Sequence, residues 1–136
     1  MLDREYTLPD GRVINVGRER FEAPECLMQP ENLGEDYSES PGLAQMVCES
    51  IWGCELDIQK PLAANIWLSG GTTMIPGLST RMENEIKDRW VQKKGKGDAS
   101  ILNRVKIAVH DPPRRKNAVF MGASFLASFA QEDRYV

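Results

Sequence analysis

Apolar residues recur every three or four positions in three stretches of the chain. This spacing predicts amphipathic helices over residues 42–53, 76–93 and 118–130. The middle stretch is the most regular, because its apolar positions are spaced by four: Leu78, Met82, Ile86 and Trp90. A shorter helix is predicted over residues 57–62, where Asp57 stands in the position of an N-cap.

Short strands are predicted before and between these helices. Residues 6–8 and 12–16 flank an Asp-Gly turn, which favours a hairpin. Residues 65–68 form a short apolar run that ends at glycines, which predicts a buried strand. Residues 105–109 alternate as in a half-exposed strand. The order hairpin, helices, strand, helix, strand, helix predicts an α/β fold, but an incomplete one, because parallel strands need cover on both faces.

Composition places the chain among soluble, cytosolic proteins of one domain. It has 136 residues, 41% of them hydrophobic, and a formal net charge of -3, which argues against a nucleic-acid binder. No apolar run approaches the roughly 20 residues that a membrane span needs. Cys26, Cys48 and Cys54 match no zinc signature, and His110 is the sole histidine, so no metal site is predicted from these residues.

The first motif with chemical content is the glycine-containing segment of residues 68–77, which reads LSGGTTMIPG. A predicted strand runs into two glycines, two threonines and the start of a helix. Glycine lets a backbone approach a flat base or a phosphate without a Cβ clash, and the first N–H groups of a helix are available donors. The segment is therefore either a nucleotide contact or a tight structural turn.

The second motif is the basic segment of residues 111–116, which reads DPPRRK. Two prolines fix the direction of the backbone, and three cations follow. One interpretation is a solvated basic turn at the start of a helix. A second places one cation against the base or ribose of a nucleotide. A third is a small binding module that uses Arg114, Arg115 and Lys116 for anions or acidic partners.

Together, these two motifs resemble the actin family. Residues 68–77 are similar to the adenosine-binding loop of actins, LSGGTTMYPG, and residues 111–116 are similar to a later actin segment with a double proline, an arginine and a lysine. The opening, from Tyr6 to Pro30, and the tail, from Lys116 to Gly122, are also similar. The resemblance covers nearly the whole chain.

Within that family, the chain resembles the actin-related protein 2 subfamily. The features that carry this finer resemblance are the opening YTLPDGR, the segment ERFEAPE at residues 19–25, the insertion at residues 96–98, and the second arginine of the basic segment. The resemblance implies an α/β fold, specifically the C-terminal half of an actin-like ATPase (ribonuclease H-like) fold. Residues 1–40 would end an outer subdomain, residues 41–110 would hold the nucleotide loop of an inner subdomain, and residues 111–136 would begin the return to the barbed-end subdomain.

The resemblance also implies the residues of an adenosine site: Gly70, Gly71, Thr72, Met74, Ile75 and Lys116. Gly71 and Thr72 would contact the nucleotide through backbone groups, Met74 would pack near the adenine, and Lys116 would approach from the other side. Ile75 stands where the family usually has tyrosine, which removes a ring that could stack near the base. Such stacking contributes about 0.5–1.5 kcal/mol beyond area burial.

The function that the resemblance implies is that of an ATP-binding subunit, with Mg²⁺ in the complete protein, of the branching actin-nucleating complex. Its partners would be the other subunits and actin filaments, in the cytoplasm and cytoskeleton. The phosphate-binding hairpins, the metal-coordinating acid and the residues that position water lie upstream in the family, so we expect no enzymatic activity from this chain. We also expect a partial gene product rather than a genuine short protein.

Two other functions remain open at this point. One is a conventional actin-like filament former, and the other is a nuclear actin-related protein.

Overall fold

The computed structural model describes residues 3–132, with side chains to residue 129, and divides into two units, residues 1–46 and residues 47–136. Both units contain helices and short strands. The subdomain boundaries expected at residues 40 and 110 stay a prediction. None of the described helices is both long and apolar enough to cross a membrane.

The first unit opens with the predicted hairpin. Strand β1 (Arg4–Thr7) pairs antiparallel with β2 (Val13–Val16), with Arg4 opposite Val16 and Thr7 opposite Val13. In the turn, the Asp10 carboxylate accepts hydrogen bonds from the Arg12 N–H at 3.0 Å and from the Arg12 Nε at 2.8 Å. These bonds hold the pKa of Asp10 below its usual value. The Asp-Gly signal therefore predicted the turn correctly.

Helix α1 (Glu19–Glu25) follows and contains Pro24 near its end. Beyond it, a loop contains two turns of 3-10 helix, Pro30–Leu33 and Glu35–Tyr37. The loop closes where the Leu43 N–H donates to the Leu27 carbonyl at 2.8 Å. Gly42 is required at this closure, because a Cβ there would overlap the Met28 carbonyl.

The remaining elements are α2 (Leu43–Trp52), α3 (Leu56–Ala63), β3 (Ile66–Trp67), α4 (Leu78–Lys93), β4 (Val109–His110) and α5 (Ala118–Glu132). The three periodic helices are confirmed within two residues at each end. The predicted cap of α3 is wrong, because the N-cap is Glu55 and no side chain caps the helix. Asp57 lies in the first turn instead. Its negative charge interacts favourably there with the helix dipole, but its side chain accepts no hydrogen bond from a backbone N–H.

Strands β3 and β4 form a two-stranded parallel sheet, with Ile66 opposite Val109 and Trp67 opposite His110. The prediction of a buried strand at residues 65–68 is wrong for Trp67, which is 64% exposed and stacks on the His110 ring with centroids 4.6 Å apart. Only two strands pair here among the described residues, and the side chain of Trp67 stays exposed to solvent.

The second predicted strand is shorter than expected. Residues 105–107 have the predicted alternation of burial, with Val105 and Ile107 buried and Lys106 exposed. Their backbone has no neighbouring strand among the described residues, so only Val109–His110 forms a ladder. Alternation therefore predicted which side chains are buried, while the strand itself required a partner.

Helix α4 supplies the centre of the core of the second unit. Its buried residues are the four that the sequence predicts: Leu78, Met82, Ile86 and Trp90. The other buried apolar side chains of this unit are Cys48, Ile51, Ala63, Leu68, Val105 and Ile107. The helix is tied to the sheet by Glu83, whose carboxylate accepts from the Val109 N–H at 3.1 Å. The residues that follow β3 and β4 are thereby held at the same end of α4.

Candidate functional site

The glycine turn, residues 70–74, lies between β3 and α4. Leu68 is buried at the end of the strand, and Gly70 then adopts φ +98°, a conformation that favours glycine. A turn of 3-10 helix, Gly71–Met74, follows, and the Thr73 hydroxyl donates to the Gly70 carbonyl at 2.7 Å. Gly77, with φ +81°, redirects the chain into α4.

The basic turn, residues 114–117, lies between β4 and α5. Asp111 follows the strand, two prolines come next, and a turn of 3-10 helix, Arg115–Asn117, leads into α5. The Asp111 carboxylate accepts a hydrogen bond from the Ser79 hydroxyl at 2.8 Å. Since Ser79 is in the first turn of α4, this bond connects the start of the basic segment to the helix that follows the glycine turn.

The two turns contact each other through direct hydrogen bonds. The Gly70 N–H donates to the Arg115 carbonyl at 3.0 Å. In return, the Arg115 guanidinium donates to the Thr73 carbonyl through Nε at 3.1 Å and through Nη2 at 2.9 Å. Segments 42 positions apart in the sequence are thus fastened together.

The residues predicted for an adenosine site all lie on these two turns or at their ends. Exposed members are Gly71, Thr72, Met74 and Lys116; half-buried members are Gly70 and Ile75. A Cβ built on Gly71 would meet nothing within 4 Å, so there is open space above this backbone. Their assignment to a nucleotide stays a prediction.

Sequence reasoning missed the structural part played by Arg115. Its side chain is only 11% exposed, and its guanidinium donates to the carbonyls of Asp111 and Pro112 as well as Thr73. It is therefore not available as a surface cation, whereas Arg114 and Lys116 are exposed. Nothing in the local sequence distinguishes Arg115 from Arg114, because the difference depends on a carbonyl in a distant turn.

The surface around the glycine turn could accept the adenosine part of ATP. A 3-10 turn offers no internal partner for its first N–H groups, which here belong to Gly71 and Thr72. Gly71 leaves room for a flat ring, and the partly exposed Met74 offers an apolar, adaptable side chain. Among the described residues, no three His, Cys, Asp or Glu side chains gather where they could hold a metal ion.

Comparisons with known proteins agree with the resemblance carried by the two motifs. The family model described as Actin matches residues 1–133. Actin-related protein 2 of Schizosaccharomyces pombe is 48% identical over 134 residues, which cover 98% of this chain and 34% of that protein. Actin-related protein 2 of Drosophila melanogaster is 46% identical over 132 residues, which cover 97% and 32%. The chain therefore spans about a third of the length of the curated relatives it matches.

The expectation of no enzymatic activity is wrong. The matching family is one of ATPases, which points to enzymatic activity. The expectation rested on the absence, from these 136 residues, of the family's phosphate-binding hairpins, its metal-coordinating acid and its water-positioning residues. These residues span about a third of the length of the curated relatives, so the groups they contain do not decide whether a protein of this family is an enzyme.

The resemblance to the actin family and to its actin-related protein 2 subfamily is confirmed, and so is the mixed helix-and-sheet fold class. The family match extends across both units of the structure, from the hairpin into the final helix. This chain belongs to the actin family.

Proposed function

We propose that these residues form the adenine side of an ATP site in an actin-related protein that is a subunit of the branching actin-nucleating complex. The family match and the actin-related protein 2 relatives support the class of protein. The exposed glycine turn and the adjoining basic turn support the place of the base.

In this proposal, the purine lies against the backbone of Gly71 and Thr72 and beside Met74. Lys116 approaches the base or ribose from the basic turn. Backbone N–H donors and a single ammonium group can bond the polar edge of a base, and neither brings negative charge to the site. The triphosphate and its Mg²⁺ would be held by other parts of the protein, and ATP hydrolysis is a proposed activity of the whole protein.

One observation carries the proposal more than any other. The Gly70 N–H donates to the Arg115 carbonyl at 3.0 Å, so the residue before Lys116 contacts the residue before Gly71. The glycine turn and Lys116 are consequently close enough in the fold to contact one small ligand. Had the two turns been at opposite ends of α4, no common ligand could be proposed.

Replacing Lys116 by alanine tests the adenine assignment. In the full-length protein, we expect Lys116→Ala to weaken ATP binding about tenfold, because a charge-assisted hydrogen bond to the ligand is lost. Stability should change little, since Lys116 is exposed. Titration with a fluorescent ATP analogue measures the affinity, and thermal unfolding measures the stability.

Lys94→Ala is the matched control, because Lys94 is also exposed but follows the far end of α4. It should bind ATP like the wild type. An unchanged ATP affinity in Lys116→Ala would contradict the adenine assignment.

A pull-down tests the assembly part of the proposal. The full-length protein, carrying an affinity tag, should co-purify with other subunits of a nucleating complex. In the cell, it should lie in the cytoplasm and at the actin cytoskeleton. Pelleting of the protein alone as filaments would instead favour the conventional actin-like alternative.

A further inference from the structure

Arg115 makes more hydrogen bonds than any role as a surface cation requires. Nε and Nη2 converge on the Thr73 carbonyl, at 3.1 and 2.9 Å, while Nη1 donates to the carbonyls of Asp111 at 3.1 Å and Pro112 at 3.3 Å. The guanidinium thus joins the middle of the glycine turn to the two residues that begin the basic segment. We call this set of four bonds the Arg115 clamp.

The chemistry of the clamp is specific to arginine. A guanidinium is planar and presents five donors in a fixed arrangement, so one side chain can serve carbonyls on two different segments. A lysine ammonium is a single charge on a flexible stem and cannot reproduce this geometry. Burial of the positive charge is compensated by the Asp111 carboxylate, whose Oδ2 lies 4.0 Å from Nη1 and is itself held by Ser79.

The position of the clamp relates it to the candidate ligand surface. The bonded carbonyl belongs to Thr73, which lies between Thr72 and Met74, two residues of the candidate adenosine site. Arg115 itself is the residue that precedes Lys116 in the basic turn. The clamp therefore fastens the glycine turn to the backbone that carries Lys116.

We propose that Arg115 is a positioning residue for the purine: it fixes the distance between the glycine turn and Lys116 before the ligand binds. This inference rests on the proposed function. Arg115 does not contact the nucleotide, because four of its donors are engaged by the protein. Its contribution is preorganisation, which reduces the ordering that ligand binding would otherwise require.

The consequence is a coupling between Arg115 and Lys116 in ATP binding. Lys116 contributes its full effect when the clamp holds it opposite the glycine turn. Without the clamp, the ammonium group samples many positions and its removal costs less. Two residues that act through one geometry have non-additive effects on ATP affinity in a double-mutant cycle, whereas independent contributions add.

A double-mutant cycle in the full-length protein tests this proposal. The variants are Arg115→Met, Lys116→Ala and the double substitution, and the measurement is ATP affinity by competition with a fluorescent ATP analogue. We expect Arg115→Met to weaken binding about tenfold, because several charge-assisted bonds that order the site are lost. In the Arg115→Met background, Lys116→Ala should weaken binding by less than about twofold.

The control and the conservative variant separate positioning from folding. Arg114→Met removes an exposed neighbouring guanidinium and should leave ATP affinity unchanged. Arg115→Lys keeps the charge but not the fork, so its affinity should lie between those of the wild type and Arg115→Met. If Arg115→Met does not fold, the same cycle is run with Arg115→Lys, and thermal unfolding is recorded for every variant.

The outcomes distinguish this inference from the proposal on which it rests. Normal ATP affinity in Lys116→Ala would overturn the adenine assignment itself. A loss in Lys116→Ala, together with normal affinity in Arg115→Met or strictly additive effects in the double variant, would overturn the positioning role alone. Reduced affinity in Arg115→Met combined with a diminished effect of Lys116→Ala would support both.

Discussion

Gln59 is the one polar residue that is buried among the described residues. Its amide nitrogen donates to the Trp52 carbonyl at 3.2 Å and to the Cys54 carbonyl at 2.8 Å. Carbonyls at a helix C-terminus have no partner within the helix, so they need one from elsewhere. Gln59, from α3, supplies it for the end of α2 and fixes the angle at which one helix follows the other.

Replacing Gln59 by leucine should therefore destabilise the protein although the volume is similar. We expect a loss of about 1–3 kcal/mol, because two partly buried carbonyls lose their donor. The urea midpoint of the purified protein measures the change. Gln92→Leu is the control, since Gln92 is exposed on α4 and should have little effect. A Gln59→Leu variant as stable as the wild type would show that water replaces the amide.

At the scale of residues, the sequence predicted the positions of the candidate site but not the bonds that assemble it. The glycines and Lys116 were found because their spacing resembles a family motif. Arg115 and Gln59 were missed because their partners are backbone carbonyls, which every residue type carries. A side chain that bonds a carbonyl in another element leaves no signal in local composition, whereas a glycine with positive φ does.

Among the secondary-structure elements, α4 is the one that organises the second unit. Its apolar stripe is buried, and its polar face contributes Glu83, which accepts from the Lys87 ammonium at 2.6 Å as well as from β4. The hydrogen bond from Lys87 is the main cause, and that from Val109 the second, of a pKa for Glu83 below its usual value of 4.5. The charged form is therefore stabilised by folding.

This lowered pKa makes a testable link between pH and stability. A carboxyl group with a lower pKa in the folded state stabilises the protein above its unfolded pKa. That contribution disappears as the pH falls through the folded value. We expect Glu83→Gln to be less stable than the wild type by about 0.5–1.5 kcal/mol near neutral pH. The difference should narrow below the usual pKa of 4.5, and urea midpoints across this range measure it.

Lys87→Met provides the matched comparison, because it removes the main cause of the shift and leaves Glu83 in place. Its stability difference from the wild type should narrow over the same acidic range. A Glu83→Gln difference that stays constant, or grows, as the solution is acidified would contradict the assigned pKa direction. Such a result would mean that Glu83 acts only as a hydrogen-bond acceptor for the sheet.

Helices were easier to predict than strands in this chain, for a physical reason. A helix satisfies its backbone internally, so a periodic stripe is enough to place α2, α4 and α5. A strand needs a neighbour, and residues 105–107 lack one among the described residues despite their regular alternation. The exposure of Trp67 has the same origin, since burial depends on what covers the sheet rather than on the strand's own sequence.

Considered as a whole molecule, the chain leaves a large apolar surface on α5. The exposed apolar side chains of this helix are Val119, Phe120, Phe125, Leu126 and Phe129. Their exposed fractions lie between 64% and 77%, so the helix is in contact with little else in the described structure. Several large exposed apolar side chains on one helix favour association. Burial of one such side chain contributes about 1.5–3 kcal/mol.

We therefore expect the 136-residue chain, when produced by itself, to associate at micromolar concentrations. Sedimentation velocity would measure the size of the particles, and binding of an apolar fluorescent dye would measure the exposed surface. Leu126→Glu should reduce both signals, because it places a charge within the apolar surface of α5. Ser124→Glu is the control, since it adds the same charge to an exposed position of α5 without removing apolar area. A monomeric wild-type chain that binds no dye would show that α5 folds against the rest of the chain in solution.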